Sequence, residues 1–98
     1  MDQQIASPVM VEKERVPALH FPTDDVLLDG VAKATRERRL MRATKLGNLE
    51  RRKIKIVFED ADGLKAVETT IWATTKKNIV LKRGVTIPIN RVHRVEFF

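Results

Sequence analysis

The sequence contains no cysteine and no tyrosine, and it has one tryptophan and one serine among its 98 residues. Without cysteine the chain has no disulfide bond, thiolate metal site or cysteine nucleophile, a composition compatible with a reducing, cytoplasmic environment. Its single serine, Ser7, lies near the start of the chain and belongs to no Ser/His/Asp set. The four glycines are isolated from one another, so no glycine-rich phosphate loop is present.

Metal ligands are scarce as well. His20 and His93 are the only histidines, and neither lies at ligand spacing from another histidine or a carboxylate. Residues 60–63 (Asp-Ala-Asp-Gly) match the start of a calcium loop, but Ile71 occupies the position of its distal glutamate, so a hairpin turn is predicted. This inventory predicts a protein that is not an enzyme and that has no metal, no cofactor and no small-molecule substrate.

Long apolar runs are also missing. The longest uncharged stretch is far shorter than the roughly 18–20 residues that a helix needs to span a bilayer. The opening Met-Asp-Gln-Gln is acidic and polar, which is not typical of a secretory signal. We therefore expect a cytoplasmic protein with no membrane partner.

Charge is distributed unevenly along the chain. Residues 1–35 carry six acids and three bases, whereas residues 36–98 carry 16 bases and seven acids, and the formal net charge is +6. Most of the positive excess lies between Arg36 and Lys53, where eight bases accompany two acids. Such a stretch favours a polyanionic partner such as RNA or DNA, although surface bases also keep small domains soluble. The candidate phosphate contacts are Arg36, Arg38, Arg39, Arg42, Lys45, Arg51, Arg52 and Lys53.

The chain is predicted to form one domain, residues 23–98, after a flexible tail, residues 1–22. The tail holds three of the four prolines and has no sustained apolar period. Residues 23–47 are good helix formers, with Thr23 as a suitable N-cap and Gly47 as a stop signal. Because the apolar positions change angle near residues 34–36, the pattern predicts either one helix with two faces or two helices meeting there.

From residue 51 onward, apolar residues alternate with polar ones, which is typical of strands. Five strands joined by tight turns are predicted, at residues 53–60, 64–75, 79–81, 85–87 and 92–97. The second is long for one strand, so a bend or bulge is expected near its middle. The positions predicted to face the core are Ile54, Ile56, Phe58, Val67, Ile71, Leu81, Ile87, Val92 and Val95.

A helix followed by five strands, with residues 80–89 (Val-Leu-Lys-Arg-Gly-Val-Thr-Ile-Pro-Ile) before the last, resembles the SH3-like barrels. Among these it is most similar to the Sm-like proteins, which include bacterial Hfq, and the resemblance implies a small β-barrel over residues 51–98. The residues with which Sm proteins read bases have no clear counterparts here. Four segments also resemble a small family of uncharacterised proteins from Bacteroidetes-type bacteria, which implies no activity: 43–48 (Ala-Thr-Lys-Leu-Gly-Asn), 53–58 (Lys-Ile-Lys-Ile-Val-Phe), 69–73 (Thr-Thr-Ile-Trp-Ala) and 87–89 (Ile-Pro-Ile).

The few aromatic residues offer a second candidate surface. Alternation places Trp72 on the outer face of the predicted barrel, where it either packs under the helix or stands exposed beside the basic stretch. Phe97 and Phe98 also leave two alternatives open, since each either closes the barrel or contacts another subunit. Two functions follow: a module that binds nucleic-acid phosphates through its basic helix, or a module for protein interaction or homo-oligomer assembly through Trp72, Phe97 and Phe98.

Overall fold

The computed structural model describes residues 7–98, and their architecture is mostly β with one α-helix, as predicted. The helix is α1 (Gly30–Glu50), and seven strands form two sheets. The strands are β1 (Val9–Met10), β2 (Ile54–Asp60), β3 (Gly63–Thr69), β4 (Ile71–Thr74), β5 (Asn78–Leu81), β6 (Thr86–Pro88) and β7 (Val92–Glu96). Short 3₁₀ helices occupy Lys13–Ala18, Lys82–Gly84 and Ile89–Arg91. None of the helices in this range has the length and apolar character needed to cross a membrane.

The strands pair in the order β1-β3-β2-β7 in one sheet and β4-β5-β6 in the other. Neighbours are antiparallel except for β1 and β3, which are parallel. The predicted long second strand divides at Thr70 into β3 and β4, which belong to different sheets, and β1 was not predicted. The described residues therefore contain seven strands rather than five, and no ladder among them closes the two sheets into a barrel.

The predicted core positions all lie in one hydrophobic cluster and are at most 1% exposed, which confirms the strand register. The cluster also contains residues from the N-terminal segment, the helix and β5: Val16, Leu40, Ala43 and Ile79. Val57, which strand alternation places on the face opposite Ile56 and Phe58, is fully buried as well. It lies opposite Ala66 in the β2–β3 ladder, and both are buried because the second face of this sheet is itself partly covered.

The predicted helix bounds of 23–47 are wrong at both ends. α1 begins at Gly30, where the N-cap carboxylate of Asp29 accepts a hydrogen bond from the Val31 N–H at 3.2 Å. Residues 23–29 remain outside the helix because two of their acids bind arginines elsewhere in the fold. α1 continues through residues 34–36 as a single helix and ends at Glu50, with Arg51 as a left-handed C-cap.

α1 packs on both sheets through a narrow stripe. Its buried residues recur about once per turn and are Arg36, Leu40, Ala43 and Gly47. They face β4 in one sheet and β7 in the other. Gly47 permits the closest approach, because a Cβ at this position would lie 2.2 Å from the Ile71 carbonyl oxygen. The glycine that was expected to stop the helix lies within it and allows its contact with β4.

Residues 7–22, predicted to belong to a flexible tail, are packed on the domain. β1 adds to the edge of β3, and Val16 is 1% exposed within the core. The Phe21 ring lies 5.9 Å from the Phe58 ring. Burial of these apolar side chains offsets the entropy cost of ordering the segment, which its proline content alone does not reveal. Residues 1–6 of the predicted tail lie outside the described residues.

Candidate functional site

Arg36, predicted as a phosphate contact, is buried in the domain instead. Its side chain is 7% exposed, and its two terminal nitrogens each donate a hydrogen bond of 2.8 Å to a carboxylate oxygen of Asp25. Its Nη1 also donates to the Val92 carbonyl oxygen at 3.1 Å. This bidentate pair ties α1 to β7 and to residues 23–29, so Arg36 is structural and is removed from the set of phosphate contacts.

The Asp25–Arg36 ion pair makes the stability of the fold depend on pH. Hydrogen bonds from Arg36 hold the pKa of Asp25 below its ordinary value, although partial burial acts in the opposite direction. The contribution of the pair is therefore complete above the ordinary pKa of about 3.9, and it is lost as the pH falls through the lower pKa of the folded state. We expect Asp25→Asn to lower the Tm at neutral pH and to flatten the decline of Tm below about pH 4. Thermal unfolding across a pH series tests this, and an equally steep acid decline in the variant would contradict it.

A second buried arginine, which the sequence pattern did not single out, holds the same segment. Arg91 is 4% exposed, and its Nη1 donates to the carbonyl oxygen and a carboxylate oxygen of Asp24 at 2.9 and 3.0 Å. Its Nε donates to the Glu59 carbonyl oxygen at 3.1 Å. Arg91 and Arg36 together anchor residues 23–29. These two bases are therefore paired inside the fold and are not part of an exposed basic surface.

The acidic turn before β3 is the predicted hairpin turn. The Asp60 Oδ1 accepts hydrogen bonds from the backbone N–H groups of Asp62 and Gly63, each at 3.1 Å, and from Lys65 Nζ at 2.6 Å. Burial alone would raise the pKa of Asp60, but these donors together lower it. The carboxylate of Asp60 therefore stabilises the turn through these hydrogen bonds.

His93 has a partner across the sheet. Its Nε2 lies 2.8 Å from Oε1 of Glu59. In the part of the chain that the structure describes, no three His, Asp or Glu side chains are grouped as a metal site would require.

The bases that follow Arg36 on α1 are exposed. A groove of ≈440 Å³ along the helix is lined by Glu37, Arg38, Met41, Arg42 and Lys45. The Arg42 guanidinium lies 4.4 Å from the centre of the Phe97 ring, and Arg38 donates only to Thr35. Among the ion pairs of residues 7–98, none involves Arg38, Arg39, Arg42 or Lys45. These four bases are therefore free to meet an external anion.

A second cluster lies at the C-terminal end of α1. Trp72 is 47% exposed there, in a cleft of ≈600 Å³. The other lining residues are Gly47, Asn48, Arg51, Lys53, Thr70 and Lys82. The cleft thus brings together an aromatic ring and three cations, with no acid among its lining residues. Of the two positions predicted for Trp72, the exposed one beside the basic stretch is correct.

Two local features build this cleft. The close approach of Gly47 to the Ile71 carbonyl brings the last turn of α1 against the start of β4, where Trp72 lies. Arg51 then leaves the helix with φ 53°, and its N–H donates to the Gly47 carbonyl at 3.1 Å. Lys82, which the sequence analysis missed, reaches the cleft from beyond β5, and its N–H donates to the Thr70 carbonyl at 3.0 Å. No local sequence signal links Lys82 to Trp72, because only the fold places both residues in the lining of the cleft.

The remaining candidates lie outside the cleft. Arg52 is paired with Glu50 at 3.6 Å, and both side chains are more than half exposed. Phe97 packs against the core, whereas Phe98 is 69% exposed. Trp72, Phe97 and Phe98 therefore do not line one common site.

A larger cavity, of ≈820 Å³, lies between residues 21–25, α1 and the β5–β6 end of the second sheet. It contains the Asp25–Arg36 ion pair, with Glu37 and the cations Lys33, Lys76 and Lys77 also on its walls. Because its acids offset part of its positive charge, it is a poorer anion site than the Trp72 cleft.

Comparison of the chain with protein-family models, with curated proteins and with solved structures finds no match.

Proposed function

We propose that the protein is a non-enzymatic module that binds RNA or DNA through α1 and the end of the helix beside β4. The observation that carries this proposal is the concentration of exposed bases without carboxylate partners among the described residues. These bases are Arg38, Arg39, Arg42, Lys45, Arg51 and Lys53, joined by Lys82 from the sheet.

Exposed cations of this kind favour a polyanion over other partners. Each phosphate that they neutralise releases condensed counterions, so the affinity should fall steeply between about 50 and 200 mM salt. Contacts to phosphates position a nucleic acid without reading its sequence, and the helix offers no set of side chains arranged for base edges. We therefore expect the bases of α1 to contribute affinity for nucleic acid but little preference for its sequence.

Reversing Arg38, Arg39 and Arg42 together to Glu is expected to abolish binding to a labelled oligonucleotide. The Tm should change little, because exposed charges contribute only about 0–1 kcal/mol each to stability. The binding is measured by fluorescence anisotropy at low salt, and the fold by circular dichroism.

A matched control makes the same change in net charge elsewhere. Lys33, Lys76 and Lys77 are also exposed, and they line the larger cavity. Their reversal to Glu should retain most of the binding. Equal loss in both triple variants would mean that only net charge matters, and unfolding of the first variant would make its arginines structural.

A protein-interaction or assembly module is the second candidate, favoured by four exposed apolar side chains, three of which lie near the ends of α1. Leu28 is 92% exposed, Leu49 is 81% exposed, and Val31 and Phe98 are also exposed. Such residues suit an interface with a partner or with a second copy. Sedimentation at low and high salt distinguishes the two functions: a fixed oligomer that ignores salt and binds no oligonucleotide would favour assembly.

We also propose that the two sheets are the halves of an SH3-like or Sm-like small barrel, in a cytoplasmic protein of bacterial type. The passage of the chain from β3 to β4 through Thr70 and the common hydrophobic core of both sheets support this proposal. The six strands β2 to β7, which all follow α1 along the chain, support it as well. Backbone NOEs showing that the chain does not run on from β3 into β4 through Thr70 as one bent strand would contradict it.

A further inference from the structure

We infer that the cleft around Trp72 holds one unstacked base of a single-stranded nucleic acid, with the neighbouring phosphate held by Arg51, Lys53 and Lys82. The inference rests on the proposed function and adds two properties to it. It names the part of the polymer that enters the cleft, and it requires that strand to be single.

The aromatic surface is the first argument. Trp72 is 47% exposed although it is a large apolar side chain, and it stands in a concave site rather than on a convex surface. A flat indole face stacks on any nucleobase, but only a base that has left its duplex can reach it. The cleft, at ≈600 Å³, lies within the range of about 300–1,000 Å³ that is usual for small-ligand pockets.

The charge of the lining is the second argument. Arg51, Lys53 and Lys82 are exposed, and none of them belongs to an ion pair of residues 7–98. An apolar ring in a cleft whose charged lining residues are all cations does not match a purely apolar partner, whereas a nucleotide offers both a π-face and a phosphate.

The backbone at Arg51 is the third argument. Its φ of 53° is left-handed, a conformation in which glycine is the usual residue after a helix. A residue with a Cβ pays a conformational cost there, and such strain is concentrated at functional sites. The side chain that occupies this position is one of the three cations of the cleft.

Intrinsic fluorescence reports this cleft alone. Trp72 is the only tryptophan, and the sequence has no tyrosine. The full-length protein is titrated with short single-stranded RNA and DNA of one sequence, with the corresponding duplexes, with an abasic single strand and with a free nucleoside monophosphate. Anisotropy of labelled strands measures binding independently.

Single strands are expected to quench the emission, whereas duplexes and the abasic strand bind more weakly and leave the emission unchanged. Comparison of the RNA and DNA strands shows whether binding depends on the sugar. Equal binding of single and double strands with unchanged emission would overturn the inference but retain the proposed function. Quenching by the free nucleotide as tightly as by the strand would also overturn it. Failure of every nucleic acid to bind at low salt would overturn the proposed function as well.

Two variants separate recognition from folding. Trp72→Leu is expected to weaken single-strand binding about 5- to 100-fold, whereas Trp72→Phe keeps most of it, since a phenyl ring still stacks. Arg51→Gly is expected to raise the Tm by relieving the left-handed strain, and to reduce the salt dependence of binding by about one phosphate contact. A higher Tm with unchanged affinity and salt dependence would remove Arg51 from the site.

Discussion

Replacing Phe58 with alanine is expected to lower the free energy of unfolding by about 3–5 kcal/mol, a large share of the stability of a domain this small. Phe58 is the largest of the fully buried side chains, and it lies in β2, the strand that pairs with both β3 and β7. Its removal leaves a cavity in the common core and takes away the ring that Phe21 contacts. Urea denaturation measures the change as a lower midpoint with an unchanged slope.

Phe98→Ala provides the control for this experiment. The same chemical change is made at a side chain that is 69% exposed, so a shift within about 0.5 kcal/mol is expected. Similar losses in the two variants would show that Phe58 is not the centre of the core.

Gly47→Ala is expected to destabilise the protein by about 1–3 kcal/mol or more, against the helix propensity of alanine. The added Cβ would lie 2.2 Å from the Ile71 carbonyl oxygen and 2.9 Å from the Thr70 Cγ2. The first of these atoms is backbone, so the helix end must move away from β4. We expect the tryptophan emission to change in the same variant, because the displacement opens the Trp72 cleft.

Gly30→Ala is the matched change in the same helix. A Cβ there would meet nothing within 4 Å, so alanine should be neutral or stabilise the protein by up to about 1 kcal/mol. Chemical denaturation of the two variants side by side tests the packing of α1. A stabilising Gly47→Ala would mean that the helix does not approach β4 as closely as described.

The sheet region was predictable because its signal is local. Alternation along each strand assigned all of the predicted core residues correctly, from Ile54 to Val95. The length of the second strand predicted a bend or bulge near its middle, but not its division at Thr70 into strands of two sheets. Burial of Val57 was missed, because alternation describes one strand and not what covers the other face of its sheet.

The helix start and the N-terminal segment were not predictable in the same way. Residues 23–29 have helix-forming composition, but Asp24 binds Arg91, which is distant in sequence, and Asp25 binds Arg36 on the second turn of α1. The N-terminal segment is ordered by burial of Val16 in a core built from the rest of the chain. Each error arises where a long-range contact outweighs a local preference.

The candidate site was predictable only in part. Composition alone located the basic stretch. Alternation placed Trp72 on the outer face, but it left open whether the ring packs under the helix or stands exposed beside that stretch. Composition could not separate Arg36, which is buried, from Arg38, which is exposed. Lys82 was missed because only the fold brings the turn after β5 to the end of α1.

The position of α1 also determines how the molecule opens. β4 and β7 are each the edge strand of their own sheet, and α1 contacts both of them. Detachment of the helix would therefore uncover two edges at once. Amide hydrogen exchange should show the second half of α1, β4 and β7 as one cooperative unit, whereas the central strands β2 and β5 exchange only through global unfolding. The helix thus lies against one edge strand of each sheet, which limits the pairing of these two strands with other chains.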